Sequence, residues 1–554
     1  MHAARIICTL WLCALLGACG GKPAARPAAA GGAAADSEAS AAAPEHAPYA
    51  AASVTGAGPR VMRARAPAGA SRTASASLPL FTLFGWVSPP NDSTTPARIA
   101  EMADLCLNVA MPAWSDSGSL ADNLRRIRYA AAYGIRCLAW DDRFDRIYND
   151  GEGIALLDTI VADYANEPGF LGYYFTDEPP ESDFPLLAKI YADLRARDPI
   201  HPAYDNMNGV GVYPDRQGYE DFFQRFIDAV HPSVLCNDYY DFTQTGDRGR
   251  FVENLVALRN LSNQSGIPFW TTVLLVEHGP YRGLTHGELR WEIAHALAYG
   301  ARGVGYFTYW TPAPDPKWNW QPAVIGYDGV RTPWFDFLAG FNPAVRAAGE
   351  TLAGLTWIST QHAGSVPRSG APFVPDDWIH GVTGRAAIGR FAGAAGERYV
   401  LLANSDSIAA RDIGLLLPRT RRAWKRAVPA RSWSELRAVP EEGGRRVTVT
   451  LEAGDFALLR LDVDPDGPVL SVGPNPARGL VRFAVSEIAP GARLEIVDTM
   501  GRRVWSSALT PRAAPVVWTG ERESGGRARP GIYFARVTDA DGLTFARFAW
   551  LGSR

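Results

Sequence analysis

Acidic and aromatic residues recur at one kind of place in this sequence, the C-terminal ends of short apolar runs. The segment GYYFTDEPP, residues 172–180, ends on Asp177 and Glu178 and is stopped by two prolines. Other runs end at Trp114; at Trp140, Asp141 and Asp142; at Asp205 and Asn206; at Asn237, Asp238, Tyr239 and Tyr240; at Glu277 and His278; and at Tyr309 and Trp310. Carboxylates and Asn accept hydroxyl hydrogens, and Trp and Tyr stack on C–H faces, so this set suits a polyhydroxylated ligand. Paired carboxyl groups also meet the needs of glycoside cleavage. One protonates the leaving oxygen, and the other attacks the anomeric carbon or activates water. Glu178 and Glu277 are the candidates for that pair. A charged Glu277 would hold the proton on Glu178, while Tyr239, Tyr240 or His278 would stabilise the Glu277 anion. Asp177, Trp140, Asp141, Asn206, Asp238, Tyr239, Tyr240, His278, Tyr309 and Trp310 are then candidate substrate-binding residues.

Plainer roles stand beside these. Asp177 and Glu178 also suit the N-terminus of a helix in PPESDFPLL, where acids are favoured. Glu277 also reads as a solvated loop acid, and Asp238 as a reserve carboxylate or an orienter of Tyr239 or Tyr240. His278 also fits a loop hydrogen-bonder, and Trp310 a lid over the core. Trp318 and Trp320, in PKWNWQP, suit a subsite or packing against a following domain.

Apolar runs and amphipathic stretches alternate from Leu78 to about Leu355, which predicts strand and helix pairs. The runs are LFTLFGWV, LCLNVAMPA, IRCLAWDD, FLGYYFTDE, HPAYDNM, SVLCNDYYDF, PFWTTVLLVE and GVGYFTYW. Between them, Leu120, Leu124, Ile127 and Ala131 mark one helical face ending at Gly134, and Thr285 with Glu288 has capping-box spacing ahead of a helix ending at Gly300. Eight pairs in this length predict an α/β fold, a closed (β/α)8 TIM barrel over residues 78–355, whose strand C-termini gather the functional residues. The first strand is followed by no Gly-rich phosphate turn, which argues against an open doubly wound sheet. Period-two strands then predict a β-sandwich over 356–465, and a second β-domain over 466–554 follows the breaker DPDGP.

With the strands in order, the chain resembles clan A of the glycoside hydrolases, which includes β-galactosidase-like and cellulase-like members. Their acid/base Glu closes strand four, usually after Asn, and their nucleophilic Glu follows strand seven. DEP at Asp177–Pro179, Glu277 and Trp310 carry the resemblance over about residues 79–465, with Asp177 in place of the usual Asn. It implies cofactor-free hydrolysis of a β-linked glycoside or oligosaccharide with retention, and a substrate-platform role for Trp310. The alternative is a surface carbohydrate-binding or adhesion protein on a barrel without turnover. The order PNP, DTMGRRV, Trp518 with Gly520, and PGIYFARV resembles the Ig-like domain of flagellar hook-capping proteins and related secretion tails, over Gly473 to Trp550.

The N-terminus reads as an export signal, with Arg5 ahead of an apolar run, and Leu16-Gly17-Ala18-Cys19 resembles a bacterial lipobox. That resemblance implies cleavage before Cys19, its lipidation, and a cell-envelope lipoprotein at the outer membrane or cell surface. Residues 20–77, rich in Ala, Gly, Pro and Ser, predict a disordered tether. A formal charge of −3 from 55 basic and 58 acidic residues gives no footprint for nucleic acid. Cys106, Cys137 and Cys236 lie in apolar runs and are expected as buried thiols, a Cys106–Cys137 bridge being the lesser option. His and Cys spacings suggest no metal site.

Overall fold

The computed structural model describes residues 78–552 apart from 115–117, 151–152, 419–420, 428–431, 462–469, 486–490, 511–514 and 540–541. The expectations for the export signal, Cys19 and the tether fall outside the described residues. Eight strands close into a parallel barrel: β1 Thr82–Gly85, β2 Val109–Ala110, β3 Arg136–Ala139, β4 Phe170–Asp177, β5 Ala203–Asn208, β6 Leu235–Asp238, β7 Phe269–Leu274 and β8 Gly303–Phe307. Closure is made where β1 pairs with β8, from Thr82 opposite Gly303 to Gly85 opposite Tyr306. Helices lie between successive strands, and their ends follow local chemistry. Thr285 and Glu288 form both halves of a capping box at the helix His286–Ala298. Gly134 and Gly300 take the left-handed φ values of 72° and 78° that end the preceding helices.

Large rings fill the lower barrel. Phe84, Trp270 and Tyr204 pack with centroids 5.6 and 5.9 Å apart, and Trp86 and Tyr174 form the layer above at 5.6 Å. The glycines of β8 make this possible: a Cβ on Gly303 would lie 2.5 Å from Trp270, and one on Gly305 2.3 Å from Phe84. With its floor filled, this interior leaves the C-terminal end of the strands for ligand.

The helix Pro333–Ala353 leads into a seven-stranded and a four-stranded sheet spanning Thr356–Leu461, which enclose a core including Ile388, Leu402, Ile413 and Val449. This sandwich is tightly joined to the helix His286–Ala298. A Cβ on Gly287 would lie 2.1 Å from the Ser407 carbonyl oxygen, and one on Gly389 2.5 Å from that of Ala298. The Tyr299 hydroxyl meets His362 Nε2 at 2.9 Å across the same seam. Two further sheets, of three and four strands between Leu470 and Trp550, pack around Trp518 and Trp550. All three described cysteines are free. Cys137 and Cys236 are buried as expected, whereas Cys106 is half-buried, so the Cys106–Cys137 bridge is not formed.

Two glycine substitutions should move stability in opposite directions. Gly305→Ala drives a methyl into the Phe84 ring and is expected to lower the unfolding free energy by ~1–3 kcal/mol. Gly340→Ala, in open space on the helix Pro333–Ala353, should raise it by up to ~1 kcal/mol. Chemical denaturation of both variants, compared with wild type, measures the difference.

Candidate active site

The segment that ends in Asp177 and Glu178 is β4, and its side chains do not simply alternate. Tyr174 points into the barrel, its ring tilted against Tyr204 at 5.6 Å, whereas Phe175 packs outside on Phe144 at 4.6 Å. The register against β5 shifts between Tyr174 and Thr176, which places Asp177 opposite Asn206 on the inner face. Asn206 Nδ2 then donates to Asp177 Oδ1 at 3.1 Å and to Asp238 Oδ1, from β6, at 2.7 Å. The two hydrogens of one amide nitrogen diverge by about 120°, which sets these carboxylate oxygens roughly 5 Å apart.

Glu178 follows Asp177 directly, and strand alternation would send it to the outer face. It does not go there. Glu178 adopts φ of 48°, its N–H donates to the Asn206 carbonyl at 2.7 Å, and its side chain lies beside Asn208. With its nitrogen facing the carboxylate, the Asn208 amide donates to both Glu178 oxygens, at 3.0 and 3.3 Å. Asn206 and Asn208 are two residues apart on one strand and share a face. The left-handed turn therefore brings two sequence-adjacent carboxylates to the same mouth, at a conformational cost of roughly 1–3 kcal/mol.

Aromatic residues wall the opening. Phe307, the last residue of β8, lies 6.4 Å from Trp86, 5.8 Å from Trp114 and 5.4 Å from Tyr240, centroid to centroid. Trp320 stacks on His278 at 4.5 Å and meets Trp114 edge-on at 5.8 Å, and Trp318 stacks on Trp320. Tyr281 completes this side, 5.2 Å from Tyr240.

Burial first, and the neighbouring Asp238 second, push the Asp177 carboxyl up to about 7, against the lowering effect of hydrogen bonds from Asn206 and Tyr174. Asp177 is partly accessible, and solvent reaches it through the mouth although it sits deep. Asp238 is also raised by burial, opposed by Asn206 and the Tyr240 hydroxyl. Burial lowers His278 to about 4, and its Nδ1–H donates to the Val276 carbonyl at 2.9 Å, so the ring is neutral at pH 7.

Asn206, Asp238, Tyr240 and His278 thus join Asp177 and Glu178 at the mouth. Other expected site residues do not. Asp141 is buried and bound on both oxygens by Arg143 at 2.8 Å, with the Tyr164 hydroxyl at 2.6 Å, which makes it a structural anchor. Trp140 packs beside Gly118 and its carbonyl accepts from Asn123. Tyr239 alternates to the outer face of β6, against Gly209 and Gly211. After Phe307 the chain bonds back to β1, with the Tyr309 and Trp310 N–H groups donating to Trp86 and Val87 carbonyls. Tyr309 then packs on Gly85 and Trp310 under the Arg98 guanidinium, so neither is a platform in the mouth. Phe307 is the β8 residue whose ring meets Trp86, Trp114 and Tyr240.

Glu277 lies three residues beyond the end of β7. Its carboxylate accepts from Gly283 N–H at 3.2 Å and its carbonyl from Gln321 N–H at 3.0 Å, so it ties two loops together. Among the described hydrogen bonds, those of Asn206 bring Asp177 and Asp238 together. The sequence reading passed over Asn208, Tyr174, Trp86 and Phe307. A strict period of two from Asn206 would have found Asn208, and the inward faces of the first, fourth and eighth runs hold the others.

No family model matches the sequence, and no curated protein matches it. Among solved structures, the chain is similar to one described as a glycoside hydrolase, with 13% identity, TM-score 0.44, and coverage of 70% of this chain and 93% of that one. A γ-CGTase from alkalophilic Bacillus clarkii gives 12% identity and TM-score 0.41, covering 87% of this chain and 84% of that one. A GH51 arabinofuranosidase from Xanthomonas axonopodis pv. citri gives 12% identity and TM-score 0.39, covering 69% and 96%. At such scores the class of protein, a (β/α)8 barrel with appended β-domains, rests on the strand pairing itself.

The raised Asp177 carboxyl has a consequence for stability. A carboxyl whose pKa is higher folded than unfolded binds more protons in the folded state, so its contribution to stability falls as pH rises from about 4 through 7. Asp177→Asn removes that loss. The variant is expected to gain ~1–2 kcal/mol over wild type at pH 8 and to match it near pH 4. Urea unfolding at the two pH values tests this, and a gain at pH 4 alone would contradict it.

Proposed function

We propose that this chain is a glycoside hydrolase acting on a β-linked glycoside or oligosaccharide with retention. The observation that carries the reading is the gathering of Asp177, Asp238 and Glu178 on the Asn206 and Asn208 amides, within an aromatic-walled barrel mouth. Retention is what the resemblance to clan A implies, and it requires the Glu178 and Asp238 carboxyl groups to stand about 5–5.5 Å apart across the anomeric carbon.

In this reading Glu178 is the acid/base. It delivers a proton to the glycosidic oxygen as the C1–O bond breaks, and later takes one from the attacking water. Asp238, held by Asn206 and Tyr240, is the nucleophile that forms the glycosyl ester. Asp177 accepts from the substituent next to the anomeric carbon. Phe307, Trp114 and Trp320 supply apolar faces for the ring. The nucleophile is placed at Asp238, at the end of β6, and not at Glu277, which lies in a loop three residues beyond β7. The lipobox at Cys19 would tether the enzyme at the cell envelope, with the C-terminal domain of the hook-capping Ig-like kind as an outer module.

Turnover of aryl glycosides by wild type and three variants tests these roles. Glu178→Gln should lose ~10²–10⁴-fold in kcat on a poor leaving group and much less on dinitrophenol, which needs no proton. Asp238→Asn should lose at least as much on both. Glu277→Gln should stay within a few-fold of wild type. Proton NMR of the first-formed product should show the starting anomer. Wild-type turnover that survives unchanged in Glu178→Gln would end the assignment.

A further inference from the structure

We infer that a cavity at the floor of the barrel, where the barrel meets the sandwich, binds a small tetrahedral oxyanion such as inorganic phosphate or sulfate. It lies at the N-terminal ends of β7 and β8, beside Pro268, Ala301 and Arg302, the opposite end from the mouth. The inference is therefore independent of the glycosidase reading. The cavity measures about 290 Å³, room for one such ion with its water and less than an oligosaccharide needs.

Two guanidinium groups from different elements line it. Arg259 comes from the helix Phe251–Ser265, and Arg302 directly precedes β8. Asn263 of the same helix and Thr356, from the first strand of the sandwich, stand exposed at its rim. None of the described residues lining the cavity is acidic. Arg302 donates instead to the carbonyls of Leu352 at 3.2 Å and Leu355 at 3.3 Å. The Arg259 guanidinium lies over the rings of Phe269 and Trp357, 5.1 and 5.3 Å from their centroids. It donates from Nη2 to the Ser262 hydroxyl, and its buried Nε has no acceptor.

These partners fall short of a counter-charge. A helix C-terminus carries roughly half a negative charge, and two of them approach this point. The helix Phe251–Ser265 ends at Gly266, in the cavity lining, and the helix Pro333–Ala353 ends beside the carbonyls that Arg302 binds. Two full positive charges against about one negative leave a positive surplus. The arginines register it. Burial first, and the Arg302 charge second, bring Arg259 down to about 10, and burial lowers Arg302 as well. Arg143, which holds Asp141 and Asp163, is shifted the opposite way. A planar carboxylate matches a single guanidinium fork, whereas two forks on separate elements suit an anion whose oxygens point in several directions. Bound there, the ion would fasten the floor of the barrel to the sandwich.

Isothermal titration and thermal unfolding of the full chain with sodium phosphate and sodium sulfate, against sodium chloride at matched ionic strength, test this. The expected result is saturable binding of one ion per chain, with a Tm that rises and levels off as the site fills. Phosphate and sulfate should compete, and acetate should bind at least tenfold more weakly. Arg259→Gln should weaken phosphate at least tenfold. Asn263→Glu places a carboxylate at the exposed rim and should abolish the binding heat, and Thr356→Glu should do the same from the sandwich side if the first variant fails to fold. A Tm that climbs without levelling, and equally in Asn263→Glu, would be the general effect of excluded salts and would overturn the inference. An equal response to chloride, acetate binding as tight as phosphate, saturable binding untouched by either rim variant, or no binding at all would overturn it too.

Discussion

One side-chain amide holds this mouth together. Asp177 of β4 and Asp238 of β6 stand on either side of β5, and Asn206 of that strand supplies a hydrogen to each from a single nitrogen. Everything nearby depends on that arrangement. The register shift in β4 exists at the point where Asp177 must face Asn206, and the left-handed turn of Glu178 directly follows it. Strain of this kind persists only where the surroundings hold it, and here the Glu178 N–H bond to the Asn206 carbonyl is part of that hold.

The charge cluster is supported from beneath by shape. Phe84, Trp270 and Tyr204 fill the barrel's lower half because Gly303 and Gly305 offer no Cβ to oppose them. A water-filled interior would solvate the acids from below and bring their proton affinities back towards ordinary values. The aromatic packing leaves solvent one approach, through the opening, and so sustains the unusual electrostatics at the top. Packing and protonation are in this sense one property.

The barrel was legible in the sequence because its signals are local and repeated: apolar runs of strand length, caps such as Thr285 with Glu288, and stops such as Gly134 and Gly300. The acids at the end of β4 were legible for the same reason, and the prolines after them marked the strand's end. For Trp310 and Glu277 two roles each stayed open, a platform or a lid and a nucleophile or a loop acid, because their placement depends on where a strand stops. β8 ends at Phe307 and β7 at Leu274, and beyond those points period-two reasoning loses its hold. Asp141 fails differently. Its sequence neighbourhood looks like a pocket rim, and the partner that claims it, Arg143, is only two residues away, but Tyr164 and Asn123 come from other elements. No single-sequence pattern announces such a long-range network.

The seam between the helix His286–Ala298 and the sandwich reaches further than its own contacts. Gly287, at that helix's first turn, is pressed against Ser407, and the preceding loop is fastened by Arg282 to Glu288 at 2.7 Å and by Gly283 to Glu277. The same loop carries His278 and Tyr281 into the aromatic wall. The sandwich is thus a brace for one side of the opening, and a barrel separated from it would keep its strands but lose that fixed edge. The two domains form one machine in mechanical terms, and lineages that shuffle such modules would be expected to move this pair together.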